Sequence, residues 1–292
     1  MFLKELIAKG VETISTLFPE REAREMVLMF LQHRLGTSRH THILEPSYEV
    51  SPGAAADCLA AFDRMAAGEP IQYIIGKAYF YDREFSVTPS VLIPRPETEL
   101  LVREALVWAR RSDHRPLRIL DLCTGSGCIA WSMALELPGS EVTAVDISDG
   151  ALAVASGQKF GEADPGCTDG VVSPRFIKAD VLAGPVDGLG KFDMILSNPP
   201  YVMDSEKALM RKNVLDHEPW LALFVPDDDP LVFYRAVASW AKELLNDGGL
   251  CLVEINEALG IETAQVFVEA GFHDVKVLQD LNSRDRFVRA IQ

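Results

Sequence analysis

A chain of 292 residues, 48% of them hydrophobic, has room for one large or two modest domains. No apolar run approaches the roughly 18 residues of a membrane-spanning helix, so the chain is expected to have no membrane partner. Its 28 basic and 43 acidic side chains leave a net charge of −15, which disfavours direct nucleic-acid binding and suits a basic protein partner. The start, Met1 to Leu6, is amphipathic with an early acid and does not read as a secretion signal. The five cysteines (58, 123, 128, 167 and 251) lack Cys-x-x-Cys spacing and read as reduced thiols of a cytoplasmic protein, with no metal site.

The first part of the chain is helical in pattern. Helices are predicted over Leu3 to Leu17, Glu20 to Leu35 and Pro52 to Ala67. In the second, Ala23, Val27, Phe30 and Leu31 fall at helical spacing, and Pro19 suits its entry. Single helices cannot bury an apolar stripe alone, so a small bundle over residues 1–75 is expected. Residues 76–96 read as a hairpin linker, through Ala78 to Val87, closing on the stiff Pro94-Arg95-Pro96. Pro96 and Glu97 are placed to start a helix carrying Leu100, Leu101 and Ala105; Arg95 or Glu97 could equally position a substrate.

Residues 97–292 alternate strand and helix, the pattern of a doubly wound α/β sheet. Leu117 to Leu122 reads as a strand running into Cys123-Thr124-Gly125-Ser126-Gly127, and a helix follows from Cys128. A glycine turn between strand and helix lets backbone approach a nucleotide-like ligand. Gly125-x-Gly127-x-x-Ala130 by itself also fits a nicotinamide-binding turn. Asp121 tilts the reading: a carboxylate there attracts an ammonium or sulfonium and repels a pyrophosphate, although it could equally cap the turn. A second strand, Val142 to Val145, ends in Asp146, which can accept from both ribose hydroxyls or open the next helix. Residues 161–173 are turn-rich and read as a surface insertion. A third strand, Arg175 to Ala179, ends at Asp180 and Val181, placed to meet an adenine or simply to turn the chain.

The most telling segment is Asn198-Pro199-Pro200-Tyr201, which follows the apolar strand Phe192 to Ser197. Two prolines cannot continue a central strand, so its end is held stiff with Asn198 and Tyr201 on display. The Asn198 side-chain oxygen and the Pro199 carbonyl can accept both N–H groups of an amide or aromatic amine and orient its nitrogen. Tyr201 could then pack on the flat face of that group. Beyond it a helix near 230–246, a Gly248-Gly249 turn, the strand Leu250 to Ile255 and a helix near 260–270 are expected. Strands Val275 to Leu278 and Arg286 to Ile291 complete the chain.

The succession Asp-x-x-Thr-Gly-Ser-Gly (121–127), Val145-Asp146, Ala179-Asp180 and Ser197 to Tyr201 resembles class I S-adenosylmethionine-dependent methyltransferases acting on nitrogen. Gly68 to Gly76, Val91 to Glu99 (with Pro-Arg-Pro-Glu-Thr-Glu) and Asp216 to Leu223 narrow the resemblance to the HemK/PrmC family. It covers nearly the whole chain and is weakest over the first sixty residues or so. The resemblance implies a Rossmann-like seven-stranded sheet, the last pair antiparallel, behind a small N-terminal helical bundle that recognises release factors. It implies methyl transfer from S-adenosylmethionine, leaving S-adenosylhomocysteine, to the glutamine amide in the Gly-Gly-Gln loop of class I peptide chain release factors. Cys123 to Gly127, with Asp121, would hold the methionine part of the cofactor, Asp146 the ribose, and Asp180-Val181 the adenine. Asn198, Pro199, Pro200 and Tyr201 would hold the substrate glutamine, with Asn198, Pro199 and Tyr201 catalytic and Asn198 also bordering the cofactor. Cys123 departs from the glycine found in many relatives. A monomer is expected. The alternative is a nucleic-acid adenine N-methyltransferase, which shares the Asn-Pro-Pro-Tyr motif but needs a basic groove.

Overall fold

A computed structural model describes residues 1–112, 116–160 and 170–292. Most of the predicted insertion at 161–173 lies outside the described residues. The chain divides into two compact units, Met1–Lys77 with Met210–His217, and Ala78–Leu209 with Glu218–Gln292. In chain order it forms helices α1 (Leu3–Ile14), α2 (Glu20–Leu35), α3 (Thr41–Leu44), α4 (Pro52–Ala66) and α5 (Ile71–Ile75). The hairpin β1 (Lys77–Phe80) and β2 (Arg83–Ser86) and helix α6 (Thr98–Ala109) come next. Then follow β3 (Arg118–Leu122), α7 (Cys128–Glu136), β4 (Glu141–Asp146), α8 (Asp149–Ser156), β5 (Arg175–Lys178) and β6 (Phe192–Ser197). The rest comprises β7 (Val202–Met203), α9 (Lys212–His217), β8 (Phe224–Val225), α10 (Val232–Leu244), β9 (Leu245–Glu254), α11 (Gly260–Glu269), β10 (His273–Gln279) and β11 (Asp285–Ile291). No helix among the described residues is long and apolar enough to cross a membrane.

The first unit is organised by one apolar cluster. Leu3, Leu6, Ile7 and Ile14 of α1 meet Ala23, Val27, Phe30 and Leu31 of α2 and Cys58, Phe62 and Met65 of α4. The four α2 positions picked out by helical spacing are all buried. Burying a Leu or Phe side chain contributes about 1.5–3 kcal/mol, so these stripes, rather than intrinsic propensity, hold the short helices. Gly10 permits the close approach: a Cβ there would lie 2.7 Å from the Phe62 ring and 2.9 Å from Val27. Helix α1 stops at Ile14, short of the predicted Leu17, and α4 starts where Ser51 accepts from the Ala54 N–H at 3.4 Å with Pro52 at the first helical position.

The second unit contains a seven-stranded sheet in the order β10-β11-β9-β6-β3-β4-β5. Strands β5, β4, β3, β6 and β9 run parallel to one another, and β11 runs antiparallel to both β9 and β10. This is the seven-stranded arrangement implied by the resemblance. Alternation along the strands feeds two cores. Ile119, Met194, Leu196, Leu250 and Leu252 face the layer of α6 and α7, while Leu120, Leu122, Ile195, Cys251 and Val253 face α10 and α11. The hairpin turn uses Tyr81 and Asp82, both at positive φ (48° and 59°), as a two-residue connection requires. Beyond the turn, Arg83 is buried and paired with Glu136 of α7.

One boundary differs from the sequence reading. The Gly248-Gly249 segment is not a turn that precedes the strand; it lies inside β9, which begins at Leu245. Pairing with β6 slips between Phe192↔Leu245 and Met194↔Leu250, and the intervening residues of β9 are taken up as a bulge. The register sets the site. Leu122 pairs with Val145 and Ser197, and Ser197 pairs with Val253, so four strand ends lie side by side. The Ser197 hydroxyl donates to the Leu122 carbonyl at 2.8 Å, fastening β6 to β3 where both strands stop.

Candidate active site

The carboxyl ends of β3, β4, β5 and β6 open onto one cavity of about 1120 Å³ including its mouth. Open α/β sheets place ligands at such strand ends. Of the residues singled out in the sequence, Cys123, Thr124, Gly125, Ser126, Asp146, Asp180, Val181, Asn198 and Pro200 line it. Asp121, Gly127, Pro199 and Tyr201 do not.

The glycine turn has a backbone that side chains resist. Cys123, Gly125 and Gly127 all take positive φ (60°, 55° and 79°). At Cys123 a left-handed conformation costs a non-glycine residue roughly 1–2 kcal/mol. A Cβ on Gly125 would meet nothing within 4 Å, so that position faces open space. A Cβ on Gly127 would press on Ala155 at 3.0 Å and Trp131 at 3.1 Å. Gly127 is therefore a packing glycine at the start of α7, and its expected contact with a ligand is replaced by contact with α8.

Three acids shape the cofactor end. Asp146 accepts from the Gly125 N–H at 2.8 Å and the Ser148 N–H at 2.9 Å. Burial raises its pKa, and these N–H groups oppose the rise. Asp180 accepts from the Leu182 N–H at 2.9 Å and caps the turn carrying Val181, whose carbonyl is held by Trp240 at 2.9 Å. Asp121 is fully buried beneath the turn, where it accepts from the Thr124 hydroxyl at 2.5 Å and the Ala130 N–H at 3.2 Å. It thus acts on the cavity through Thr124 and not by lining it, because its strand position points below the ligand-facing loop. Burial pushes its pKa up to about 7, and its Oδ1 has no partner among the described residues. An unsatisfied buried acceptor beneath the turn fits a cationic amino-acid moiety above it.

At the other end, Asn198 donates from Nδ2 to the Thr98 hydroxyl at 3.1 Å, and that hydroxyl donates to Glu254 Oε2 at 2.7 Å. Tyr201 differs from expectation. Its hydroxyl donates to Glu254 Oε1 at 3.1 Å and its ring packs on the core of α10 and α11. Pairing of β7 with β8 turns the chain after Pro200, so the ring goes inward and cannot cover a substrate in the cavity. Glu254 is buried at the end of β9, and burial pushes its pKa up to about 7 against the two hydroxyl donors.

The rigid Pro94-Arg95-Pro96 segment is clamped by Glu218, which accepts from the Ile93 N–H at 3.2 Å and pairs with Arg95 at 2.7 Å. Pro94, Arg95, Pro219 and Leu221 also line the cavity. Thr98, Glu218 and Glu254 were not assigned roles from sequence. The usable signal for Glu254 was an acid closing an otherwise apolar strand.

Family models match this chain at residues 5–76, as the PrmC N-terminal domain, and at residues 98–217, as the Methyltransferase small domain. The release factor glutamine methyltransferase of Bacteroides thetaiotaomicron is 39% identical over 96% of this chain and 96% of its own length. The chain belongs to the release factor glutamine methyltransferase family. The family's enzyme from Flavobacterium psychrophilum is 36% identical, covering 99% of each chain. A solved structure, the release-factor-specific protein-(glutamine-N5) methyltransferase of Alicyclobacillus acidocaldarius, is 31% identical over 71% of this chain and 99% of that one, with a TM-score of 0.42. The protein is accordingly a class I methyltransferase enzyme, and the donor expected from its sequence, S-adenosylmethionine, is that of its family.

Proposed function

We propose that this protein methylates the side-chain amide nitrogen of the glutamine in the Gly-Gly-Gln motif of class I peptide chain release factors. The observation that carries the reading is a single cavity with a nucleotide-type turn at one end and the Asn198 amide at the other. The names of its relatives support the protein substrate over a nucleic acid, and the net charge of −15 agrees with them. Residues 1–75 are assigned to release-factor recognition and residues 97–292 to catalysis, with the hairpin of 76–96 between them in sequence. A substrate from the translation machinery implies work in the cytoplasm, and the enzyme is taken to act as a monomer.

The bound donor supplies an electrophilic methyl group on a sulfonium. Cys123 to Ser126 offer backbone and small side chains to its methionine part, Asp146 its carboxylate to the ribose, and Asp180 and Val181 a turn beside the adenine. Asn198 Oδ1 accepts one N–H of the substrate amide. The Pro199 carbonyl, which has no hydrogen-bond donor among the described residues, accepts the other. Together they aim the amide nitrogen and favour the positive charge that develops on it. The alkylated nitrogen is acidic and loses its proton to water.

The test offers labelled S-adenosylmethionine with a class I release factor, its Gly-Gly-Gln→Gly-Gly-Ala variant and duplex DNA. Label in the unaltered factor alone is expected; label in DNA, or in the Ala variant, overturns the assignment. Asn198→Ala is expected to lower the methyl-transfer step by at least about 100-fold while leaving cofactor affinity nearly intact. Loss of cofactor binding with normal turnover by the bound enzyme is the contrary result.

A further inference from the structure

We propose that Thr98 and Glu254 are positioning residues that fix which way the Asn198 amide faces, and so aim its oxygen at the substrate. The inference rests on the proposed role of Asn198 as acceptor for the substrate amide. It follows from hydrogen-bond polarity. An ionised Glu254 can only accept, and it takes a proton from Thr98 at 2.7 Å and another from Tyr201 at 3.1 Å. A hydroxyl has one proton. With that proton committed to Glu254, the Thr98 oxygen can only accept from its other neighbour, the Asn198 side chain at 3.1 Å. The atom facing Thr98 must therefore be the Nδ2 donor, and Oδ1 is turned away from Thr98. No protein donor reaches Oδ1 among the described residues, and Asn198 borders the cavity. A flipped amide would set two acceptors against each other at Thr98 and present N–H to a substrate that itself offers N–H. A carboxylate two hydrogen bonds from Asn198 thus decides whether that amide greets the substrate as acceptor or donor.

The three residues come from three elements. Thr98 opens α6, Glu254 closes β9, and Asn198 follows β6. The β6–β9 register, with Ser197 opposite Val253, puts the last two side by side. Thr98 and Glu254 are both buried, so water does not compete for the link. Their hydrogen bonds go to Asn198 and Tyr201, whereas Asp146 and Asp180 hold the Gly125, Ser148 and Leu182 N–H groups, so the effect of Thr98 and Glu254 is on the transfer step.

The decisive experiment compares Thr98→Val, Thr98→Ser and Glu254→Gln with the unaltered enzyme at pH 8, where Glu254 is mainly ionised. Glu97, Arg286, Tyr201, Tyr234 and Cys128 are the other titratable groups that act on it or feel its charge. Single-turnover methylation of the release factor and equilibrium binding of S-adenosylmethionine are measured in parallel. Thr98→Val is expected to slow the single-turnover rate by roughly tenfold to a hundredfold, as misaimed groups do. Its cofactor dissociation constant should stay within about threefold, and Thr98→Ser, which keeps the hydroxyl, should restore most of the rate. Equal loss in the Val and Ser variants, or loss of cofactor binding in step with rate, overturns the proposal in favour of a packing role. A Val variant as fast as the unaltered enzyme overturns it too.

A second readout needs no substrate. In nitrogen-15 spectra of the free enzyme, the Asn198 side-chain NH₂ should show the shift and slowed rotation of a bonded donor, lost in Thr98→Val and kept in Thr98→Ser. An Asn198 signal indifferent to Thr98 refutes the clamp whatever the enzyme methylates. A clamp present in the spectra of an enzyme that labels no release factor refutes the substrate assignment and leaves the clamp standing.

Discussion

Replacing Glu254 with Gln gives a variant whose stability relative to the unaltered protein should depend on pH. Glu254 is fully buried, and burial moves its carboxyl from an ordinary 4.5 to about 7. Between those values the folded protein holds a proton that the unfolded chain releases. The neutral acid's contribution is therefore complete below about pH 4.5 and is lost as pH rises through about 7. Each tenfold change in proton affinity corresponds to about 1.36 kcal/mol, so the side chain should weaken the fold by roughly 2–3 kcal/mol between pH 5 and pH 8. Gln carries no charge and is spared this loss, though it must reverse one of the two hydroxyl bonds from Thr98 and Tyr201. At pH 5 the variant is expected to be the less stable protein; by pH 8 the gap should close or invert. Urea unfolding of both proteins at several pH values supplies the comparison, and the difference between them cancels the pH response of the other acids. A difference that stays flat to within about 0.5 kcal/mol from pH 5 to pH 8 would show that Glu254 is ionised in the fold at little cost, and the reasoning from burial would be wrong.

Other consequences concern the glycine turn. Asp146→Ala removes a carboxylate that holds the Gly125 and Ser148 N–H groups, and hydrogen bonds to charged groups contribute about 1.5–3 kcal/mol each. Cofactor affinity measured by equilibrium dialysis should fall at least about tenfold, with turnover by the saturated enzyme changed much less; an unaltered affinity contradicts the assignment. Gly127→Ala brings a Cβ to 3.0 Å from Ala155 at a φ of 79°, so denaturation should show a loss of about 2–4 kcal/mol. Gly125→Ala meets no protein atom within 4 Å and should cost the fold only about 1–2 kcal/mol while weakening the cofactor. If the two alanines destabilise equally, the distinction between packing glycine and cavity glycine fails.

Much of this protein was legible because local signals are strong where backbone geometry is unusual. Paired prolines after an apolar strand, and glycines between strand and helix, restrict φ in ways that few structures satisfy, so Asn198 and the 123–127 turn could be placed without coordinates. Helix α2 was equally plain, since its buried positions follow a single period. Motif order along the chain also sufficed to mark the family.

What only the tertiary structure decided is which side chains meet across strands and which way they point. Tyr201 belongs to the same four-residue motif as Asn198, yet the pairing of β7 with β8 sends it into the core. Glu254 stands 56 residues from Asn198 in the chain, and only the register of β6 on β9 makes them neighbours. Asp121 and Asp146 look alike in sequence, each an acid at a strand end, but the first is buried beneath the turn and the second borders the cavity. Sequence determines where the backbone must bend. Burial and direction arise from long-range pairing, which no local pattern encodes.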